Sequence, residues 1–227
     1  MPLTRQPVCS FCARDSFAVV RSLDDNGRVP LKKEVHVMGN LESRQHGTTA
    51  YVPGRICLAG EGLDWMVGGP SLVAGIGLYT KASFLPHASP NGILLSSREP
   101  LFIRRSVGLA DLETYTGDEL DLLQATVNVA PKRMFGFSSG RLQVATQLPV
   151  AAGLASSAAV TLAAYAALAD AHGAWSGRED ACIAAHEAEN EEIRVRSGWM
   201  DFLGCAYGGV SLIEASTPHP GTDSRTV

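Results

Sequence analysis

Lysine is scarce in this chain of 227 residues, occurring only at Lys32, Lys33, Lys81 and Lys132. With a net charge of −4 and no lysine-rich face, general affinity for nucleic acid or an anionic membrane surface is not expected. Long apolar runs are lacking too, and no stretch approaches the roughly 18 apolar residues of a membrane-spanning helix. The N-terminal stretch carries Arg5, Arg14 and Asp15 and no unbroken apolar segment, which argues against a secretory leader. Cysteine is limited to Cys9, Cys12, Cys57, Cys182 and Cys205, an odd and scattered set. That excludes a dense disulfide framework and fits a cytoplasmic protein. Nothing in the sequence bears on oligomeric state.

Several motifs are missing as well. No Gly-Lys-Ser or Gly-Lys-Thr occurs, which removes the Walker phosphate loop, and Gly75-Ile-Gly77 lacks the third glycine of a dinucleotide fingerprint. There is no Gly-x-Ser-x-Gly elbow, and no His or Asp is placed by sequence to activate Ser156 or Ser157. A serine hydrolase is therefore disfavoured.

What is present is enough apolar residue, 45%, to bury the core of one large domain, with or without an appendage. Residues 1–48 read as an N-terminal appendage, 49–214 as the main domain, and 215–227 as a disordered tail of Pro, Gly, Thr and Ser. Within the main domain, Thr49–Val52 and Ile56–Ala59 read as two strands separated by a break at Pro53-Gly54. Leu72–Leu78 and Ser83–Leu85 continue a β-rich stretch. Gly92–Leu95 and Leu101–Ile103 read as a hairpin, and Gly140–Ala145 as another strand. Helical spacing covers Asp118–Val129, Leu154–His172 and Arg178–Val195. Leu203–Glu214 reads as a strand entered through a turn. The class is α+β.

Three constellations carry chemistry. The first is Pro149-Val-Ala-Ala-Gly-Leu-Ala-Ser-Ser-Ala158, in which a strand, a Gly turn and a helix start follow one another. The first N–H groups of a helix lack intrahelical partners, and the dipole makes that end positive, so the arrangement suits an anion such as phosphate. Ser156 and Ser157 could add hydroxyl contacts or a magnesium ligand. A buried helix start with serines bonded back to carbonyls fits the residues equally well.

The second constellation is His186–Gly204. Glu189 shares a helical face with Cys182, Ala185 and Ile193, the face expected to be buried, and a carboxylate there needs a partner or a metal. Glu187 and Glu191 fall elsewhere and read as exposed. Asp201, after Ser197-Gly198, reads as either a turn cap or a general base. The third constellation is Pro53-Gly-Arg-Ile-Cys-Leu-Ala-Gly-Glu-Gly-Leu-Asp-Trp65. Arg55 precedes a strand, and Glu61 and Asp64 follow it, where they suit sugar hydroxyls or a surface salt bridge.

With all three in order, the sequence resembles the GHMP kinases, the family of galactokinase, homoserine kinase, mevalonate kinase and phosphomevalonate kinase. The resemblance covers about residues 49–214 and is most galactokinase-like in Pro53–Trp65, where mevalonate kinases usually have Lys in place of Arg55. It implies the family's N-terminal domain fold, with a ferredoxin-like C-terminal domain largely missing. The chain is then expected to be truncated, either as a fragment or as a natural short form.

The resemblance also implies ATP-dependent transfer of the γ-phosphoryl group to a small-molecule hydroxyl, most readily that of a sugar. Asp201 would orient or deprotonate the hydroxyl, with Arg55 beside it. Pro149 and the run Ala152, Gly153, Leu154, Ala155, Ser156, Ser157 and Ala158 would surround the ATP phosphates. Ser157 and Glu189 would hold Mg²⁺. Glu61, Asp64 and Gly198 would meet the substrate. A truncated, non-catalytic binder of nucleotide or sugar is the alternative.

The sequence departs from the galactokinase pattern at Gly62 and Trp65, where His and Tyr are usual, so galactose itself is not specified. Ala151 and Ala155 stand where the phosphate motif usually has Gly or Ser, and a methyl group at 151 would crowd the nucleotide if φ there is positive. The remaining motif, Cys9-Ser-Phe-Cys12, reads as two free thiols in preference to a zinc site with His36 and His46.

Overall fold

Strands that the sequence divides into short pieces run together in the folded chain. The computed structural model describes residues 47–67, 69–87, 92–98 and 101–214, with the backbone of Ala18–Val20. Cys9, Cys12, His36, His46 and the tail 215–227 lie outside the described residues. β1 (Ala18–Val20) pairs with the start of β2 (Thr48–Ala59), which continues through Pro53-Gly54. The predicted break survives only as a register shift against β3 between Pro53 and Arg55. Proline and glycine thus produce a bulge instead of ending the strand.

β3 (Pro70–Pro86) likewise joins two predicted segments and organises the sheet. Its first half pairs with the end of β2 and with β7 (Val210–Glu214), and its second half with the start of β2 and with β6 (Gly140–Thr146). β4 (Ile93–Ser97) and β5 (Arg104–Val107) form the predicted hairpin, whose second strand begins at Arg104 and excludes Leu101–Ile103. β4 also runs parallel to β6. The sheet among the described residues thus has seven strands, antiparallel except for that pair. The class is α+β, as the sequence predicts.

Helices cover one face. α3 (Ser156–Ala171) lies on β2 and β3, and its alanines are buried nearly all round. A helix apolar on every side must be enclosed, and alanine lets its neighbours approach closely. It is flanked by α2 (Asp121–Arg133) and α4 (Arg178–Glu187). α2 runs past the predicted end at Val129, with Pro131 in its last turn and Lys132 and Arg133 at the end the dipole makes negative. α1 is one turn, Leu63–Met66.

Two further differences matter for the site. α4 stops at Glu187 and widens into a π-turn, Ala188–Glu192, where the spacing predicts helix to Val195. Trp199–Tyr207 forms helix α5 where the sequence reads as a turn and strand, and the strand proper starts at Val210. Trp199, Phe202 and Tyr207 favour strands, and an internal glycine disfavours helix, so local preference misleads here. Gly204 has a packing reason: a Cβ would sit 3.1 Å from Val73 Cγ2 and 3.2 Å from Arg55 Cγ. The helix therefore approaches the sheet only because that residue is bare.

Gly54 plays the same part on the other side of Arg55. A Cβ there would overlap Leu148 Cδ2 and come within 2.9 Å of the Leu154 carbonyl oxygen. Gly54→Ala is expected to destabilise the protein by about 1–3 kcal/mol, as overpacking does, measured by the midpoint of urea unfolding.

Candidate active site

The loop between β6 and α3 changes hand at alternate residues. Ala151 has φ 56°, Gly153 φ 69° and Ala155 φ 58°, while Ala152 and Leu154 keep negative φ. A backbone of this kind turns successive N–H groups toward one side and makes an anion-binding concavity. The helix then starts at Ser156, two residues later than predicted, and its free N–H groups follow directly. Pro149, Ala151, Ala152, Gly153 and Ser157 are exposed, Leu154 and Ser156 half-buried, and Ala155 and Ala158 buried. The loop thus presents a concave, uncharged, solvent-facing backbone. Alanine at two left-handed positions is strained, by about 1–2 kcal/mol each.

Arg55 ties this loop to α5. It is 2% exposed. Its Nε donates to Asp201 Oδ1 at 3.0 Å, its Nη2 donates to the same oxygen, and its Nη1 donates to the Gly153 carbonyl at 2.7 Å. Its backbone N–H donates to the Leu154 carbonyl at 3.2 Å. Glu61 Oε1 lies 3.8 Å from Nη2 on a largely exposed side chain. Burial works against the guanidinium charge, but Asp201 and Glu61 outweigh it, and Arg55 stays protonated. Burial holds the Asp201 carboxyl above its ordinary value; Arg55 opposes this, and Asp64 and Glu61 add to it. Cys205, buried beside the pair, is raised by the same desolvation.

Glu189 lies in the π-turn, on the buried face with Cys182 and Ala185, as its spacing predicts. It is 3% exposed. Burial pushes its carboxyl up to about 7 against hydrogen bonds from Ser197 and Ser157, and the charge of Asp201 raises it further. Its Oε1 has no partner among the described residues. A buried, orphaned carboxylate oxygen near a serine hydroxyl fits a hard cation that prefers oxygen ligands. Among the described residues no group of three or more His, Cys, Asp or Glu gathers, so the donor set fits Mg²⁺ sharing its ligands with substrate phosphates and not a closed protein cage.

Asp64 and Gly198 also come together. Asp64 is 3% exposed, its Oδ2 accepts the Met200 N–H at 2.8 Å, and its Oδ1 has no partner among the described residues. The structure therefore gathers Arg55, Asp201, Gly153 and Glu61 at one point, Glu189 and Ser157 at a second, and Asp64 and Gly198 at a third. Of the predicted residues, Pro149 and Ala152 contribute exposed backbone alone.

Several neighbours are not visible in the motifs. Ser197 reaches Glu189, and its N–H and hydroxyl are both held by Asn190, at 3.1 and 2.8 Å. The π-turn is clamped at both ends. Glu187 is not exposed as the spacing predicts, because it bridges Lys132 and Arg133. Glu192 accepts from Tyr115, Asn128 and Lys132 at 2.9, 2.7 and 2.7 Å. Glu191 is exposed. The acid-rich stretch Glu187–Glu192 facing Lys132-Arg133 is the one sequence signal for these clamps.

Residues 121–209 match the GHMP kinases N terminal domain. The galactokinase of Thermococcus kodakarensis is 30% identical over 159 residues, which are 70% of this chain and 43% of that protein. The Methanococcus jannaschii mevalonate kinase structure superposes with a TM-score of 0.66 at 15% identity, over 74% of this chain and 54% of that one. The Lactococcus lactis galactokinase complexed with galactose superposes with a TM-score of 0.64 at 21% identity, over 78% and 53%. These two structures share the fold. The chain spans less than half the length of the curated galactokinase it matches.

Two measurements probe this geometry. A carboxyl raised to about 7 in the folded protein ionises first in the unfolded chain, so stability is full at low pH and falls as pH rises from about 4.5 to 7. In metal-free buffer Glu189 is expected to account for a loss of roughly 3 kcal/mol across that window, and Glu189→Gln to abolish it, read by urea unfolding at several pH values. Ala151→Gly relieves the left-handed strain at an exposed position and is expected to raise stability by about 0.5–1 kcal/mol, read from the same unfolding midpoint.

Proposed function

We propose, from the premise that this chain belongs to the GHMP kinase family, that it binds ATP at the loop before α3 and transfers the γ-phosphoryl group to a hydroxyl of a small molecule, a sugar. The observation that carries this reading is Arg55, whose guanidinium bridges the Asp201 carboxylate and the carbonyl of Gly153 in the loop. One buried cation thereby holds the acceptor of the proton and the cradle of the phosphate in fixed relation. Phosphoryl transfer depends on such positioning more than on covalent chemistry.

Each residue then has a defined task. The N–H groups around Gly153 and at the start of α3 hold phosphate oxygens. Asp201 aligns the substrate hydroxyl and takes its proton as the oxygen attacks the γ-phosphorus and the bond to the β-phosphate oxygen breaks, releasing ADP. Its raised carboxyl is a better proton acceptor than an ordinary aspartate. Arg55 keeps Asp201 in place and offsets charge on the transferring group. Ser157 and Glu189 are the residues that would hold Mg²⁺, which neutralises phosphate charge when bound.

Glu61, with its exposed side chain, and the unpartnered Asp64 Oδ1 supply acceptors for hydroxyl groups. A relative 30% identical over 159 residues is a galactokinase. With Gly62 and Trp65 beside Asp64, the sugar of this chain need not be galactose. No helix among the described residues is long and apolar enough to cross a membrane, and the reading places the chain in the cytoplasm, where ATP is abundant.

A second reading, nucleotide or sugar binding without turnover, is favoured by one observation. Ala151 puts a strained, left-handed alanine at an exposed position of the phosphate loop, where the family motif usually has Gly or Ser. Phosphoryl transfer from ATP across a panel of sugars, with calorimetry for ATP and each sugar, separates the two. Asp201→Asn is expected to lower kcat by about 10²–10⁴-fold while ATP still binds. Unchanged turnover in that variant removes Asp201 from the mechanism, and binding without transfer in the wild type selects the second reading.

A further inference from the structure

We infer that Asp64 is a positioning residue: its carboxylate caps helix α5 from outside and so sets the place of Asp201. The inference rests on the kinase reading for its consequence, but the contact itself does not. Met200 is the second residue of α5, and an N–H there has no partner inside the helix. Helices usually cover such a group with a Ser, Thr, Asp or Asn at the preceding cap position. α5 has Gly198 at that position and no side-chain cap of its own. The Met200 N–H is taken instead by Asp64 Oδ2, at 2.8 Å, from 136 positions earlier in the chain.

The glycine is part of the same device. A Cβ at residue 198 would overlap the Asp64 carboxylate, with Oδ1 at 2.8 Å and both Oδ2 and Cγ closer still. A residue able to cap the helix locally cannot stand there while Asp64 occupies its place. The charge of Asp64 also faces the end of the helix that the dipole makes positive. The next residue along the helix is Asp201, held by Arg55. Arg55 and Asp64 belong to the same stretch, β2 and the turn that follows it. That stretch therefore grips α5 at two consecutive residues, Met200 through the backbone and Asp201 through the side chain. Substrate recognition by Asp64 is left to Oδ1, which has no partner among the described residues.

The test is amide hydrogen exchange of the whole protein without substrate, joined to steady-state kinetics. Asp64→Ala is expected to speed exchange at Met200 and Asp201 by about tenfold or more, with α3 unaffected. Asp64→Asn keeps an acceptor oxygen and is expected to restore most of the protection. In turnover, Asp64→Ala is expected to lower kcat as well as raise KM for the hydroxyl substrate, and Asp64→Asn to recover most of kcat.

Unchanged exchange at Met200 in Asp64→Ala overturns the proposal. So does unchanged kcat with a raised KM for the hydroxyl substrate, the mark of a residue that only binds substrate. If Asp64→Ala does not fold, Asp64→Leu, which keeps the bulk and removes the acceptor, decides: exchange at Met200 must rise more than in α3, and protection equal to the wild type overturns the proposal. If the wild type transfers no phosphoryl group, the kinase reading fails while the exchange measurement still supports or overturns the cap.

Discussion

The hydrogen bonds of Arg55 are the constraint on which the other parts of the site depend. A guanidinium that is 2% exposed cannot be left without compensation, because breaking a buried pair by removing one partner costs about 3–5 kcal/mol. Arg55 meets that need with two different kinds of group, a carboxylate on α5 and a carbonyl in the loop before α3. The sheet, the loop and the helix are thus bound to one charge. Close approach on both sides makes this possible: bare Gly54 admits Leu148 and the Leu154 carbonyl, and bare Gly204 admits the Arg55 stem. The bulge that Pro53-Gly54 puts into β2 falls at the residue before Arg55. A feature that reads as a strand break is therefore the local distortion that accompanies Arg55 in its inward position.

Glu189 is held by the opposite logic. It lacks a cation among its neighbours in the described residues, and its position comes from clamps on either side. Glu187 is fixed by Lys132 and Arg133, and Glu192 by Tyr115, Asn128 and Lys132, all on α2 or the segment before it. Between these clamps the helix widens to a π-turn, which adds a residue to the turn and lets Glu189 face inward while its acidic neighbours face α2. The clamps are ion pairs and hydrogen bonds at partly covered positions, and their individual contributions are modest. Their effect is geometric: they define a wide turn that the sequence does not otherwise demand.

The residues gathered at the candidate site are more legible in the sequence than the elements that carry them. Arg55, Asp201, Glu189 and Ser157 stand in short ordered motifs, and motifs survive errors in secondary structure. The burial of Glu189 followed from its spacing with Cys182 and Ala185, and the strand–turn–helix order around Gly153 needed only local chemistry. α5 was not legible, because its aromatic residues and internal glycine favour other states and its helical form depends on Val73, Arg55 and Asp64 far away in sequence. The π-turn and its clamps were not legible for the same reason, since Glu192 meets Tyr115 77 positions away. The sequence reading divides β3 between Leu78 and Ser83, where the strand in fact runs on, paired with β2 and β6, and Gly75-Ile-Gly77 falls within its first predicted segment. Those glycines lie where the strand changes partners, from β7 to β6.

The strained loop shows how these dependencies converge. Left-handed alanine at 151 and 155 opposes the preference of the residue itself, and such a conformation persists only where its surroundings over-determine it. Here the surroundings can be named. Arg55 pulls on the Gly153 carbonyl and donates its own N–H to the Leu154 carbonyl, on two of the three residues between the strained positions. On the far side α3 is enclosed by core nearly all round beyond its first turn and cannot readily turn to relieve Ala155. The hand of the loop is therefore imposed from outside by Arg55 and α3, and not chosen by the residues in it. That is why alanine can stand where glycine would rest more easily, and why the shape of an anion cradle can persist in a sequence whose local composition also suits a plain helix start.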